Sequence, residues 1–125
     1  MSLDRAEFEP FRCDVEPARE SVFVRPVGEL DLSTVPVVDA QLSELVAAGF
    51  TRVVLDLREL RFLDSTGLRL LLSWDARSRA EGVDLSVIPG PAPVQRVIDV
   101  AGVAHLLPFS RLNGAGGGAS VTPSD

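Results

Sequence analysis

The segment at residues 52–57 constrains the fold of this chain more than any other. It reads Arg-Val-Val-Leu-Asp-Leu, so it is short, rich in β-branched residues and apolar on both alternations. This pattern is typical of a strand that is covered on both faces, as strands are in a parallel sheet. Parallel neighbours require crossover connections, which are usually helical. The segment therefore predicts an α/β protein.

Two strands and a turn precede this segment. Residues 11–15 alternate apolar and polar side chains, and residues 21–27 form a second strand-like run. The intervening residues 16–20 contain Pro17 and favour a turn, so the two strands are predicted to form an antiparallel hairpin. Pro26 predicts an irregular end to the second strand, because proline lacks a backbone N–H.

Apolar residues at helical spacing predict three helices. The first follows the capping hydroxyls and the proline of residues 33–36. The second covers residues 68–80 with Ser65 or Thr66 as its N-cap, and the third runs from about residue 93 to residue 101. The predicted buried faces are, in chain order, Val38, Leu42, Leu45 and Val46; Leu68, Leu71, Leu72 and Ala76; and Val94, Val97, Ile98 and Ala101.

The order of elements predicts a single α/β domain. A further strand at residues 83–88 and a short edge strand at residues 106–109 complete a mixed sheet with one antiparallel hairpin, right-handed parallel crossovers and packed helices. A chain of 125 residues is long enough for one such core. We assign residues 1–9 to a flexible N-terminus, residues 10–112 to the domain and residues 113–125 to a glycine-rich flexible tail.

Composition excludes several functional classes. The net charge of −6 and the lack of a basic run argue against nucleic-acid binding, and no apolar run is long enough to span a bilayer, so we expect a cytoplasmic protein. All twelve basic residues are arginine, which excludes a P-loop lysine, Schiff-base chemistry and a Ser-Lys pair. Cys13 is the only cysteine, and we interpret it as a small apolar side chain in an early strand.

The sequence Asp-Ser-Thr-Gly-Leu at residues 64–68 places a hydroxyl where a strand gives way to a helix. Ser65 at this junction is compatible with a nucleophile, a helix cap or a phosphate acceptor. The N-terminus of a helix favours added negative charge, because its first N–H groups are unpaired. A phosphate of about −1.5 to −2 charges beside Asp64 would, however, repel a partner surface fitted to the unmodified site.

Other chemistries find less support in the sequence. A hydrolase built on Ser65 and His105 would lack the Gly-x-Ser-x-Gly elbow, and a shared-proton carboxylate dyad would need a second matching loop. Gly28 and Gly67 are interpreted as turn glycines, because no glycine-rich phosphate cradle surrounds them. The carboxylates that remain as metal ligands are scattered along the chain: Asp31, Asp56 and Asp64.

Leu70 and Trp74 lie on a helix stripe distinct from that of Leu68, Leu72 and Ala76. The sequence leaves two interpretations open. Either the pair packs under a neighbouring loop, or it forms an exposed apolar patch that contacts a partner.

Three sequence motifs resemble those of the STAS superfamily, specifically the bacterial anti-sigma-factor antagonists. They are Val-Gly-Glu-Leu-Asp-Leu-Ser-Thr at residues 27–34, Val-Val-Leu-Asp-Leu at 53–57 and Phe-Leu-Asp-Ser-Thr-Gly-Leu at 62–68. The resemblance covers roughly residues 11–110 and extends to the helix at 94–102.

The resemblance implies a protein that binds an anti-sigma factor with serine-kinase activity and so frees a sigma factor. It implies that this kinase phosphorylates Ser65 with its own ATP, so that the chain needs no cofactor, and that a PP2C-type serine phosphatase reverses the modification. Thr66 is a second possible acceptor. The residues expected to serve partner binding are Gly28, Glu29, Asp31, Asp64, Thr66, Gly67, Leu68, Leu70 and Trp74. The alternative is a STAS scaffold or transport-associated binding module that is not phosphorylated.

Overall fold

Five strands and three helices lie within residues 10–110, the part of the chain that the computed structural model describes. In chain order the elements are β1 (Arg12–Pro17), β2 (Val22–Leu30), α1 (Val35–Ala47), β3 (Arg52–Asp56), β4 (Leu60–Leu63), α2 (Ser65–Ala80), β5 (Asp84–Ile88) and α3 (Ala92–Ala101). A 3₁₀ turn, Ala104–Leu106, follows α3. The predicted flexible segments at residues 1–9 and 113–125 lie outside the described residues.

The sheet is mixed, with the strand order β1-β2-β3-β5. β1 and β2 form an antiparallel hairpin in which Arg12 lies opposite Val27, whereas β2–β3 and β3–β5 are parallel. The predicted α/β class, the mixed sheet and the N-terminal hairpin are confirmed. The edge strand predicted at residues 106–109 is reduced to one parallel bridge, between Phe109 and Val87.

β4 was not predicted from the sequence. This short strand pairs in parallel with the second half of β2, where Gly28 lies opposite Leu60 and Leu30 opposite Leu63. Its burial pattern is buried, exposed, exposed, buried, so it lacks the alternation that marks a strand in sequence. Its conformation depends on its pairing with β2.

β2 is longer than predicted and runs through Pro26 instead of ending there. Its residues 22–24 pair with β3 and its residues 28–30 pair with β4. Pro26 lies between these two segments, so its missing N–H interrupts neither parallel ladder. Gly28 is likewise not a turn glycine. It lies at an irregularity of the β2–β4 register with φ of +121°, a conformation that favours glycine.

The core lies between one face of the sheet and the three helices. Its fully buried side chains include Val24 of β2, Leu55 of β3, Val38 and Leu42 of α1, Leu71 of α2, and Val94 and Ile98 of α3. Burying an aliphatic side chain of this size contributes about 1.5–3 kcal/mol. Among the described residues, no helix combines the length and the apolar character that crossing a membrane would require.

The buried face of α2 is rotated by about one residue from the predicted face. The residues that the structure buries are Gly67, Leu68, Leu70, Leu71, Trp74, Asp75 and Ser78. At 100° per residue this arc is centred near Leu71, which places Ala76 on the opposite side, where it is exposed. Ala101, predicted to be buried in α3, is exposed because it is the last residue of that helix.

Asp56 ends β3 as a fully buried carboxylate. It accepts hydrogen bonds of 3.0 Å from Nε of Arg25 and from the backbone N and Nε of Arg58. Burial by itself raises the pKa of Asp56, but the hydrogen bonds from Arg58 and Arg25 outweigh it, so that this pKa is below its usual value. The carboxylate therefore links β2 to β3 in its charged form.

The Asp56 network predicts a pH-dependent term in stability. The pKa of Asp56 is lower in the folded state than in the unfolded state. The ionised carboxylate therefore adds to the free energy of unfolding above the unfolded-state pKa of about 3.9, and this contribution is lost as pH falls through the folded-state pKa. We expect Asp56→Asn to lower the free energy of unfolding by about 1–3 kcal/mol at pH 7. In urea denaturation series, the difference from wild type should shrink below about pH 4; a difference that is constant with pH would contradict the assignment.

Candidate functional site

The candidate site forms where β2 and β4 end side by side. Leu30 and Leu63 are register partners in these parallel strands, and the N–H of Asp64 donates to the carbonyl of Leu30 at 3.2 Å. Asp31 and Asp64 each follow one member of this pair. The structure therefore brings together two motifs that are more than thirty residues apart in sequence.

Asp64, rather than Ser65 or Thr66, is the N-cap of α2. Its backbone is extended, with φ of −106° and ψ of −174°, and its Oδ1 accepts the N–H of Gly67 at 2.9 Å. A carboxylate suits this position, because it pairs an N–H that the helix leaves free and complements the positive end of the dipole. The prediction of a Ser65 or Thr66 cap was wrong.

Ser65 is the first residue of α2, and its side chain is exposed, whereas Thr66 is half-buried. Because Asp64 makes the capping bond, the Ser65 hydroxyl does not serve that purpose. Within residues 10–110, no hydrogen bond engages this hydroxyl. The first turn of α2 therefore presents an accessible hydroxyl beside a carboxylate.

Gly67 is required by close packing and not by a turn. A Cβ at this position would lie 2.6 Å from Cδ1 of Leu63 and 2.8 Å from the carbonyl oxygen of Leu30. Both distances are shorter than real Cβ contacts, so the first turn of α2 approaches the ends of β2 and β4 only because residue 67 has no side chain. This contact therefore sets the distance between the first turn of α2 and the end of β2.

Asp31 organises the loop between β2 and α1. Its Oδ1 accepts the N–H of Ser33 at 3.0 Å, the hydroxyl of Ser33 at 2.8 Å and the N–H of Thr34 at 3.3 Å. These bonds, with that of the Ser33 hydroxyl the largest, lower the pKa of Asp31. The hydroxyls of Ser33 and Thr34, predicted to cap α1, serve this loop instead, and Thr34 Oγ1 also donates to the carbonyl of Glu29 at 2.7 Å.

Glu29 and two apolar side chains border this loop. Glu29 is exposed on β2 and lies 3.7 Å from the guanidinium of Arg61, a surface ion pair that stabilises little. Leu32 is 74% exposed and Phe62, the register partner of Glu29, is 45% exposed. Neither exposed side chain was predicted from the sequence; the available signal is that each lies within three residues of Asp31 or Ser65.

Leu70 and Trp74 do not form an exposed patch. Their side chains are only 6% and 3% exposed, and Leu68 is also buried. Trp74 donates from Nε1 to Oδ1 of Asp39 on α1 at 2.8 Å. The interpretation of an apolar surface at this pair was wrong, because α2 turns that stripe toward the core and toward α1.

A cleft of about 360 Å³ lies elsewhere, on the sheet face that carries Arg25. Its arginines face carboxylates at 3.0 Å: Arg12 pairs with Asp14, while Arg25 and Arg58 pair with Asp56. With cations and anions already matched, the cleft has no evident preference for a charged ligand. In the part of the chain that the structure describes, no group of three potential metal ligands occurs either.

Comparisons with known proteins agree with this geometry. The profile of the family described as "Mlab, STAS domain" matches residues 13–108. The anti-sigma F factor antagonist of Paenibacillus polymyxa is 31% identical over 97 residues, which cover 77% of this chain and 83% of that protein. The chain belongs to the STAS-domain family of anti-sigma factor antagonists. The resemblance inferred from the three motifs is thereby confirmed.

Solved structures of anti-sigma factor antagonists have the same fold. An anti-sigma factor antagonist from Mycobacterium paratuberculosis has a TM-score of 0.68 at 24% identity, with 82% of this chain and 86% of that chain covered. The phosphorylated form of the Bacillus cell fate determinant SpoIIAA has a TM-score of 0.59 at 26% identity, with 81% and 91% covered. The match therefore spans nearly the whole of each relative.

Membership in this STAS family identifies a regulatory binding protein and not an enzyme. The geometry gives no separate support to a hydrolase. His105 is exposed in the 3₁₀ turn, and within the described residues no hydrogen bond joins it to Ser65. The exposed hydroxyl of this STAS domain therefore needs another explanation than nucleophilic catalysis.

The Gly67 contact yields a prediction about stability. Alanine normally favours a helix over glycine by up to about 1 kcal/mol, but Gly67→Ala should destabilise the domain by about 1–3 kcal/mol, because its Cβ would displace Leu63 or the end of β2. Urea denaturation measures the change. Arg69→Ala, an exposed position on the same helix, is the control and should stay within about 0.5 kcal/mol of wild type. Gly67→Ala as stable as wild type would contradict the packing role.

Proposed function

We propose that this protein binds an anti-sigma factor that is also a serine kinase, thereby releasing a sigma factor, and that phosphorylation of Ser65 ends the binding. The observation that carries the proposal is the exposed Ser65 at the first position of α2, with the capping bond made by Asp64. The name of the Paenibacillus relative supports the anti-sigma factor as partner. The phosphorylated form of SpoIIAA supports a modification in this family.

The local charges explain how such a switch would act. A phosphate on Ser65 would lie beside the first N–H groups of α2, where negative charge is favourable, so the domain itself tolerates it. The same phosphate adds about −1.5 to −2 charges to a surface that already holds Asp31 and Asp64. A partner surface fitted to the unmodified carboxylates would then meet repulsion and a larger desolvation cost.

The proposed contact surface consists of exposed and half-buried side chains. Asp31, Asp64 and Thr66 surround Ser65, and Glu29 extends the surface along β2. Other residues that the sequence analysis assigned to partner binding are buried, so they support the surface from below: Gly28, Gly67, Leu68, Leu70 and Trp74. The kinase supplies ATP, a PP2C-type phosphatase removes the phosphate, and the circuit operates in the cytoplasm.

A second candidate is a STAS scaffold or transport-associated module that binds without being phosphorylated. The matching family profile is described as a STAS domain, with no mention of an anti-sigma factor, and this is the observation that favours the second candidate. In that case Ser65 would be a surface residue of an ordinary protein interface. Phosphate transfer separates the two candidates.

The switch predicts how Ser65 variants behave with the anti-sigma kinase of the same genome and ATP. Phosphopeptide mass spectrometry should place the phosphate on Ser65, with Thr66→Ala still modified and Ser65→Ala unmodified. Ser65→Ala should bind within about threefold of wild type, whereas Ser65→Asp should bind at least about tenfold more weakly, equivalent to about 1.4 kcal/mol. Equal affinities of the two variants, measured by titration calorimetry, would argue for the scaffold.

The Asp31 carboxylate is expected to contribute charge as well as loop structure. Asp31→Asn keeps the Oδ1 acceptor for Ser33 and Thr34 but removes the negative charge. We expect about a five- to tenfold loss of affinity for the kinase, in the range of a charge pair at an interface rim. Asp99→Asn, an exposed position on α3, should leave the affinity unchanged. An unaltered Kd for Asp31→Asn would remove Asp31 from the contact.

A further inference from the structure

Two side-chain contacts join α1 to α2 below the candidate site. Trp74 Nε1 donates to Asp39 Oδ1 at 2.8 Å, and a guanidinium nitrogen of Arg77 donates to Ser43 Oγ at 3.2 Å. We call these four residues the interhelix clasp. Its members are spaced by four residues on α1 and by three on α2, so on each helix they share one face.

The tryptophan is the centre of this clasp. Its side chain is 3% exposed, and the guanidinium of Arg77 lies over the ring at 4.3 Å from the centroid. Arg77 is held in turn by Glu81 at 3.0 Å. A buried indole N–H needs an acceptor, and Asp39 provides it from the other helix.

The two contacts also reveal the relative direction of the helices. Asp39 precedes Ser43 on α1, and their partners Trp74 and Arg77 follow in the same order on α2. The two helices therefore run in the same direction, and their first turns lie at the same end of the domain. That end carries the Asp31 loop and Ser65.

The position of the clasp along each helix sets an offset. Asp39 comes four residues after Val35, the first residue of α1, whereas Trp74 comes nine residues after Ser65. At a rise of about 1.5 Å per residue, the difference of five residues places Ser65 about 7.5 Å beyond Val35 along the helix axis. The Asp31 loop is attached to that turn through the Val35 N–H, which donates to the Asp31 carbonyl at 2.9 Å.

Core packing by itself leaves the tilt and position of α1 only loosely specified. Val38 and Leu42 are buried, and Val35, Leu45 and Val46 are half-buried against the core. These contacts are apolar, and apolar contacts have little directionality. The hydrogen bond from the Trp74 indole on α2 to Asp39 on α1 is directional, so it fixes the orientation of α1 relative to α2.

We propose that Asp39 and Trp74 are positioning residues that hold the first turn of α1, and with it Ser33 and Thr34 of the Asp31 loop, in place relative to Ser65 for contact with one partner surface. The proposal rests on the proposed function, since it names how the kinase substrate site is kept in shape. Neither residue contacts the partner. Their effect reaches the kinase through the placement of α1 relative to α2.

Three variants test this role. Asp39→Ala removes the acceptor, Trp74→Phe removes the N–H but keeps an aromatic ring under Arg77, and Asp39→Asn retains an Oδ1 acceptor. Val22→Ala is the control for lost stability, because Val22 is fully buried at the end of β2 remote from Ser65. Each protein is studied as the full chain.

The first measurement is amide hydrogen exchange, which needs no partner. Asp39→Ala and Trp74→Phe should raise exchange of the Ser33 and Thr34 amides at least fivefold relative to the β3 amides, whereas Asp39→Asn and Val22→Ala should not. A uniform change across all amides, or no change, would overturn the positioning role and leave only a structural contact. This outcome is independent of whether Ser65 is a kinase substrate.

The second measurement is the kinetics of Ser65 phosphorylation by the anti-sigma kinase. Asp39→Ala and Trp74→Phe should lower kcat/KM about five- to twentyfold, mainly through KM, with Asp39→Asn within twofold of wild type. A loss equal to that of Val22→Ala at matched melting temperature would overturn the proposal. If wild-type Ser65 is not phosphorylated at all, the proposed function fails, and the exchange data alone decide the role of the clasp.

Discussion

The parallel pairing of Leu30 with Leu63 is the contact on which the rest of the site depends. It ends β2 and β4 at the same level, and the Asp64 N–H completes it by donating to the Leu30 carbonyl. Gly67 then allows the first turn of α2 to rest directly on this pair. The loops that contain Asp31 and Asp64, which are distant in sequence, thereby become neighbours. Ser65 lies beside them as the exposed first residue of α2.

Charged and buried residues have different roles at this site. The carboxylates of Asp31 and Asp64 are engaged by backbone N–H groups, so each one shapes its loop while keeping its negative charge. Leu30, Leu63 and Leu68 of the same motifs lie inside and fix the backbone. A phosphate added to such a surface would face charges that hydrogen bonds hold in place.

Elements with a clear local sequence pattern were predicted correctly, whereas an element that depends on pairing with a distant segment was not. The hairpin, β3, β5 and all three helices follow from local alternation or helical spacing, and the fold class follows from their order. β4 does not, because four residues carry too little pattern and their conformation comes from pairing with β2. The buried face of α2 was predicted about one residue off, because seven of its residues are apolar and several arcs of the helix surface fit them. Contact with the sheet and with Asp39 selects one of these arcs.

By itself, the sequence determined the α/β class, the family and the hydroxyl that stands at the start of α2, since each is encoded in residues close together in the chain. Only the tertiary structure decided that Asp64 caps the helix, that Gly67 is a packing glycine, that Leu32 and Phe62 are exposed and that Trp74 binds Asp39. Each of these depends on which distant segment a side chain meets. Local periodicity carries no information on that, because it records only how a segment divides its own faces between apolar and polar.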